Sequence, residues 1–177
     1  MNKKGSLGLV FIVMIASLAI AAFWDSLPFI KNSVNAVLNP TAGTLLNFNL
    51  TLGMTVLVLL LSVLMTLIRK YTTDQKTLRE MKEEQKKLQG DMKKLEVGSK
   101  EHTEMSMKSM KFILPMFKLG MKPIIYTAIP FILFFRWFTD YFALIDFRFF
   151  GFLSWFWFYL LGSIIFSSIL NKVLKVV

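Results

Sequence analysis

The sequence predicts an all-α membrane protein with three core transmembrane helices, an extra N-terminal hydrophobic helix and a cytosolic antiparallel coiled-coil hairpin. Three observations predict it. Of the 177 residues, 55% are hydrophobic and 15% aromatic, with Phe at 18 positions, well beyond what a water-soluble domain of this size carries. The apolar residues collect in four stretches, 7–24, 50–68, 112–136 and 150–171. As helices these reach about 27 to 38 Å, enough to cross a hydrocarbon core of roughly 30 Å. The charged residues collect in one block, 69–111, whose apolar positions recur at alternating steps of three and four.

The N-terminal hydrophobic segment, 1–24, reads in two ways. Lys3 and Lys4, the apolar run that follows and the small residues around Ala19 and Ala21 fit a cleavable signal peptide. Continuation of the run through Phe23 and Trp24 favours an uncleaved span. An external loop, 25–49, leads to the first core span, 50–68.

Charge sets the orientation. If the block 69–111 is cytoplasmic, four crossings place both termini there as well. That side then holds Lys3, Lys4, twelve Lys/Arg against eight Asp/Glu in the block, Lys118, Lys122, Lys172 and Lys175, and with them the entire net charge of +10. The other side holds Asp25, Lys31, Arg136, Asp140, Asp146 and Arg148 and is neutral. The positive-inside rule selects this arrangement. The expected location is the cell membrane, multi-pass, with N-terminus and C-terminus cytoplasmic. Basic residues beside spans ordinarily set topology or meet anionic lipid, so membrane lipids are expected partners and DNA is not.

Within the block, Leu78, Met81, Gln85, Leu88, Met92 and Leu95 form one seam, with Lys and Glu between them. Its partner is expected in Met107, Met110, Leu114, Phe117 and Met121. Gly98 supplies a helix stop between the arms and Ser99 the next N-cap, with Glu101 in the first turn. The arms, 69–97 and 99–122, should fold back on each other. Lys82, Lys86, Lys87, Lys93 and Lys94 lie off the seam of the first arm and are candidate ribosome contacts. Seven of the eleven Met residues lie in or just after the hairpin. An unbranched thioether suits a surface that receives unlike apolar partners, so Met107, Met110, Met116 and Met121 are the expected apolar client surface; as plain core residues of a short coiled coil they read equally well.

The third stretch, 112–136, opens oddly for a span. Lys118 and Lys122 recur in it, and Pro115 and Pro123 are expected to bend its helix. Thr55, Ser62 and Thr66 share one face of the second stretch, and Ser163, Ser167 and Asn171 one face of the fourth. Together with Tyr126 and Thr127, these stripes leading to Lys118 and Lys122 would line a groove open to the cytoplasm. The plainer reading is that the hydroxyls bond their own helix carbonyls. Aromatic residues from Phe134 to Tyr159 fit a belt at the outer interface around the external turn 137–149. A final span, 150–171, and a cytosolic tail, 172–177, complete the chain.

Chemistry is absent where it would be needed. Without Cys, and with His102 alone among charged residues, no metal centre, redox pair or cofactor is expected. No phosphate-cradling loop or intramembrane protease pair occurs, and the protein is expected not to be an enzyme.

"LNP" at 38–40, "IRKYTTDQKTLREMKEEQKKLQ" at 68–89 and "MKFILPMFKLGMKPIIYTAIPFILFFRWF" at 110–138 follow in an order and spacing that resembles the archaeal YidC-like proteins of the YidC/Oxa/Alb membrane-protein insertase superfamily. The likeness runs from 39 to 171. It implies three core spans, a hydrophilic groove open to cytoplasm and lipid, and a coiled coil that meets ribosome or nascent membrane proteins. It further implies an insertase or chaperone that eases nascent hydrophobic segments into the bilayer. The alternatives are an ion-conducting channel or a coiled-coil membrane scaffold. Bacterial members carry an arginine within the groove, whereas here the second stretch is uncharged at its middle and Arg136 falls at the outer end of the third.

Overall fold

The computed structural model describes residues 5–145 and 147–176, so Lys3, Lys4 and Asp146 of the charge argument lie outside the described residues. The described chain is all-α: α1 (Gly5–Ala22), α2 (Pro28–Leu38), α3 (Thr44–Phe48), α4 (Leu50–Thr72), α5 (Gln75–Met92), α6 (Lys100–Ala143) and α7 (Trp155–Val173). Three of these, α4, α6 and α7, are long and apolar enough to cross a membrane, and the apolar part of α1 is shorter.

Helix α4 contributes one side of the core. Its Asn49 cap accepts a hydrogen bond from the Leu52 amide at 3.0 Å, its last turn carries Arg69 and Lys70, and Met54, Leu57, Val58 and Leu61 are buried. Helix α7 packs beside it where Gly162 offers no side chain to Val58. Small residues at such a crossing let two backbones approach, which is the main source of helix association in lipid.

Helix α6 is 44 residues long. At about 1.5 Å per residue it reaches about 66 Å, twice the hydrocarbon thickness, so roughly half of it must stand outside the bilayer. It runs unbroken through Pro115, Pro123 and Pro130, and the expected hairpin arm and third span are therefore one rod. Each proline lacks an N–H to donate and crowds the carbonyl four residues earlier, so these are the positions where the helix is expected to bend.

Thr73 and Asp74 break the first arm: both have extended backbone, and Asp74 caps α5 by accepting from the Thr77 amide at 3.1 Å and the Thr77 hydroxyl at 2.7 Å. Residues 69–72 thus finish α4, and only 75–92 belong to α5. After the tip, Gly98 takes a positive φ of 91° and Ser99 accepts from the His102 amide, as the sequence indicates. Helix α5 returns against the first part of α6.

The connection 25–49, expected as a loop, is nearly all helical, with a π turn at Asn39–Gly43 between α2 and α3. Side-chain bonds pin it to α6: Trp137 Nε1 donates to Asn39 Oδ1 at 2.9 Å and Tyr141 Oη to Asn47 Oδ1 at 2.6 Å. The external turn also shifts. Helix α6 continues to Ala143, and 144–154 make the turn, with Phe150 and Gly151 at positive φ and a single bridge between Phe149 and Leu153.

The expected aromatic belt is largely core. Phe142 stacks on Trp155 with ring centroids 6.0 Å apart, Phe135 meets Tyr159 at 5.9 Å, and Trp137, Phe138, Phe142, Phe149 and Tyr159 are buried. Trp157, Phe150 and Phe152 remain exposed, as a belt requires.

Candidate functional site

The hairpin's root gathers four elements. Asp74 begins α5, and its carboxyl is held below the usual carboxylate range first by the Thr77 hydroxyl and amide, with Lys122 of α6 adding a smaller effect. Arg79 donates to the Lys175 carbonyl at 3.1 Å, tying α5 to the segment after α7, and Thr73 and Val176 are buried nearby in sequence to these contacts. Partial desolvation of its largely exposed side chain, with the neighbouring Arg69 adding to it, holds the Lys82 ammonium below its ordinary pKa. Lys118 and Lys122 are half-buried, as is Thr127, while Tyr126 is exposed.

The two polar stripes lie on helices that do pack together, α4 and α7. Most of their hydroxyls, however, bond their own helices, Thr55 to the Thr51 carbonyl, Thr66 to Ser62 and Ser163 to Leu160, as Thr127 of α6 does to Pro123. This is the plainer of the two sequence readings. Ser62 departs from it, being buried with its Oγ unpartnered one turn from Val58, the residue that meets Gly162. Ser167 and Asn171 are half-buried. Ring contacts join α6 to α7 from Phe142 back to Phe131, which meets Tyr159 at 6.1 Å.

On the hairpin the first-arm seam stands as expected: Leu78 is buried, and Met81, Gln85, Leu88, Met92 and Leu95 are half-buried. The second arm presents a different face. His102, Met105, Ser109, Phe112 and Met116 turn inward, also at steps of three and four. Met107, Met110, Leu114 and Phe117, the expected seam, are instead 55% to 63% exposed, and Ile113 lies among them at 54%. Of the four methionines expected to meet clients, Met107 and Met110 are open, Met116 is half-buried and Met121 is buried. Lys82, Lys86, Lys87, Lys93 and Lys94 are all exposed, with Lys94 3.4 Å from Asp91.

At the opposite end lies a polar cluster that the sequence reading treated only as balanced charge. Lys31 pairs with Asp25 at 2.7 Å and Asp140 at 3.0 Å, Trp24 Nε1 donates to Asp140 Oδ2 at 2.8 Å, and Arg136 sits over the Trp24 ring and 3.7 Å from Asp25. The bonds to Asp25 and Asp140 raise the Lys31 pKa, and Lys31 lowers that of Asp25. The signal for it was present: Arg136 and Asp140 lie one turn apart at the end of a span, and such residues need partners. Among the described residues no acidic or histidine cluster suited to a metal ion occurs.

The family model described as "Integral membrane protein EMC3/TMCO1-like" matches residues 35–153. Comparison with curated proteins found no match. Comparison with solved structures found none either.

Proposed function

The chain belongs to the EMC3/TMCO1-like family of integral membrane proteins, within the superfamily of Oxa/YidC/Alb-related insertases, and on that premise we propose that it is an archaeal YidC-like insertase that eases nascent hydrophobic segments into the bilayer. The family is linked to membrane-protein insertion. The observation that carries the finer reading is the open apolar face of α6, made by Met107, Met110, Ile113, Leu114 and Phe117 on the same rod that continues into the membrane.

In this reading α5 and the first part of α6 form a cytosolic coiled-coil hairpin, the termini are cytoplasmic, and the exposed lysines of α5 meet the ribosome. An emerging apolar segment lies on the methionine-rich face, whose flexible side chains fit unlike sequences. It then follows α6 past Lys118 and Lys122 into lipid. Its polar flank crosses beside α4 and α7, where a wet path shortens the dry distance. A charge at mid-bilayer costs about 2.5 to 3.5 kcal/mol on the insertion scale, so a shallow groove that removes about 1 kcal/mol of it speeds crossing several-fold. No nucleotide is required.

Photocrosslinking from positions 110 and 117 to stalled nascent chains tests this. Adducts are expected with apolar client segments and not with polar controls of equal length. Absence of client adducts at both positions, in protein that folds normally, overturns the reading.

A further inference from the structure

We infer that α1 is a built-in placeholder, resting on the face of α6 that a client's transmembrane helix takes when it enters. The inference rests on the insertase reading above. The family match covers residues 35–153, so α1 lies before the matched residues. It packs along α6. Of residues 8–24 only Val10, Ser17 and Trp24 are buried, seven apart on one face with half-buried Val13, Ala16, Ile20 and Ala21 between them, while Leu9, Phe11, Ile12, Ile15 and Leu18 are exposed.

The attachment is of a replaceable kind. Lipid tails are as apolar as leucine, so no hydrophobic force holds two helices together in a bilayer, and packing plus polar contacts must do so. Between its ends the packing stripe of α1 is aliphatic apart from Ser17, a surface that another apolar helix can reproduce. Its Ser17 hydroxyl bonds the Val13 carbonyl of its own helix at 2.8 Å and makes no claim on α6. The specific contact is at one end, where Trp24 donates to Asp140 and lies under Arg136. Exchange of α1 for a client helix thus conserves the packing and breaks one latch. The helix also has the client's chemistry, an apolar run preceded by Lys3 and Lys4. The fitting partner is a signal-anchor-like helix with a basic flank and a short polar tail.

The chain has no cysteine, which permits a lock. Trp24 meets Asp140, and both helices run toward that end, so Ser17 lies near a position about seven residues earlier on α6. Ser17→Cys paired with single cysteines over 128–135 should give one pair that oxidises readily. In the reconstituted full chain, the oxidised lock should cut insertion of a single-span client at least tenfold, and reduction should restore it. Trp24→Phe, which keeps the ring and removes the hydrogen bond, should weaken spontaneous pairing about tenfold. Normal insertion by the locked protein overturns the placeholder and leaves the insertase reading intact. If no pair oxidises, α1 does not rest there and the inference fails. If the reduced protein inserts nothing, the insertase reading fails and takes the placeholder with it.

Discussion

Gly53 of α4 meets the backbone carbonyl of Leu45 in α3 so closely that an added methyl would collide with it. The contact folds the α2–α3 connection back onto the first core span and leaves no room for relaxation, because both sides are main chain. Gly53→Ala should therefore lower the thermal midpoint in detergent by the several degrees that a strain of about 1 to 3 kcal/mol produces. The same change at Gly120, where a methyl meets nothing within 4 Å, should be neutral. Equal midpoints for both variants would contradict the tight approach.

Orientation is tested with the exposed positions at the two ends. Gly98 at the hairpin tip and Phe48 at the end of α3 are both open to solvent. Cysteines placed there should be labelled by an impermeant thiol reagent from opposite sides, Gly98→Cys only after the cytoplasmic face is opened. Labelling of Gly98→Cys in intact cells would place the hairpin outside and end the ribosome-facing reading.

How much of this was legible shows best in the hairpin. The first-arm seam could be read because α5 is charged on every other face, which leaves one apolar stripe to turn inward. The second arm misled for the opposite reason. Its most apolar stripe, Met107 to Phe117, faces outward, and the packed stripe includes His102 and Ser109. On a helix approaching a membrane, the strongest apolar face need not be the core face, since lipid or a client can satisfy it. The 25–49 segment read as loop because its Asn, Pro, Thr and Gly residues signal turns locally, while the bonds from Trp137 and Tyr141 that hold its short helices are about a hundred residues away. The Trp24–Asp140 bond joins residues 116 apart, so the sequence showed that Arg136 and Asp140 need partners but not which residues supply them.

Charge reversal of Lys82, Lys86, Lys87, Lys93 and Lys94 should leave the helices folded, because all five are exposed, and should reduce co-sedimentation with ribosomes steeply. Wild-type binding should itself fall with rising salt. Binding that ignores both salt and the substitutions would make these lysines an ordinary solvated face.

The Asp74 cap predicts a pH dependence. Its carboxyl pKa is depressed in the folded chain, chiefly by Thr77, so its stabilising effect is present above the unfolded value and is lost as pH falls through the folded one. Protection of the Thr77 amide against hydrogen exchange should therefore decline on acidification below the ordinary Asp range. Asp74→Ala should show the low protection at every pH. A profile in the wild type that stays flat through the acidic range would remove the cap from the account.

The last prediction separates Ser62 from the other hydroxyls. Thr55, Thr66 and Ser163 already bond carbonyls of their own helices, so Thr66→Val removes a satisfied group and should change insertion of any client little. Ser62 is buried against no partner, on the face of α4 that meets α7. A buried hydroxyl without a bond costs about 1 to 3 kcal/mol, which Ser62→Ala relieves, so that variant should be as stable as the parent or more so. If the hydroxyl is retained because it helps hold water on the client's path, the same variant should insert clients with a short polar external tail several-fold more slowly while purely apolar clients pass unchanged. Stability and activity would then move in opposite directions, which misfolding cannot produce. Unchanged insertion of both clients would reduce Ser62 to a packing residue and move the polar path away from the α4–α7 seam.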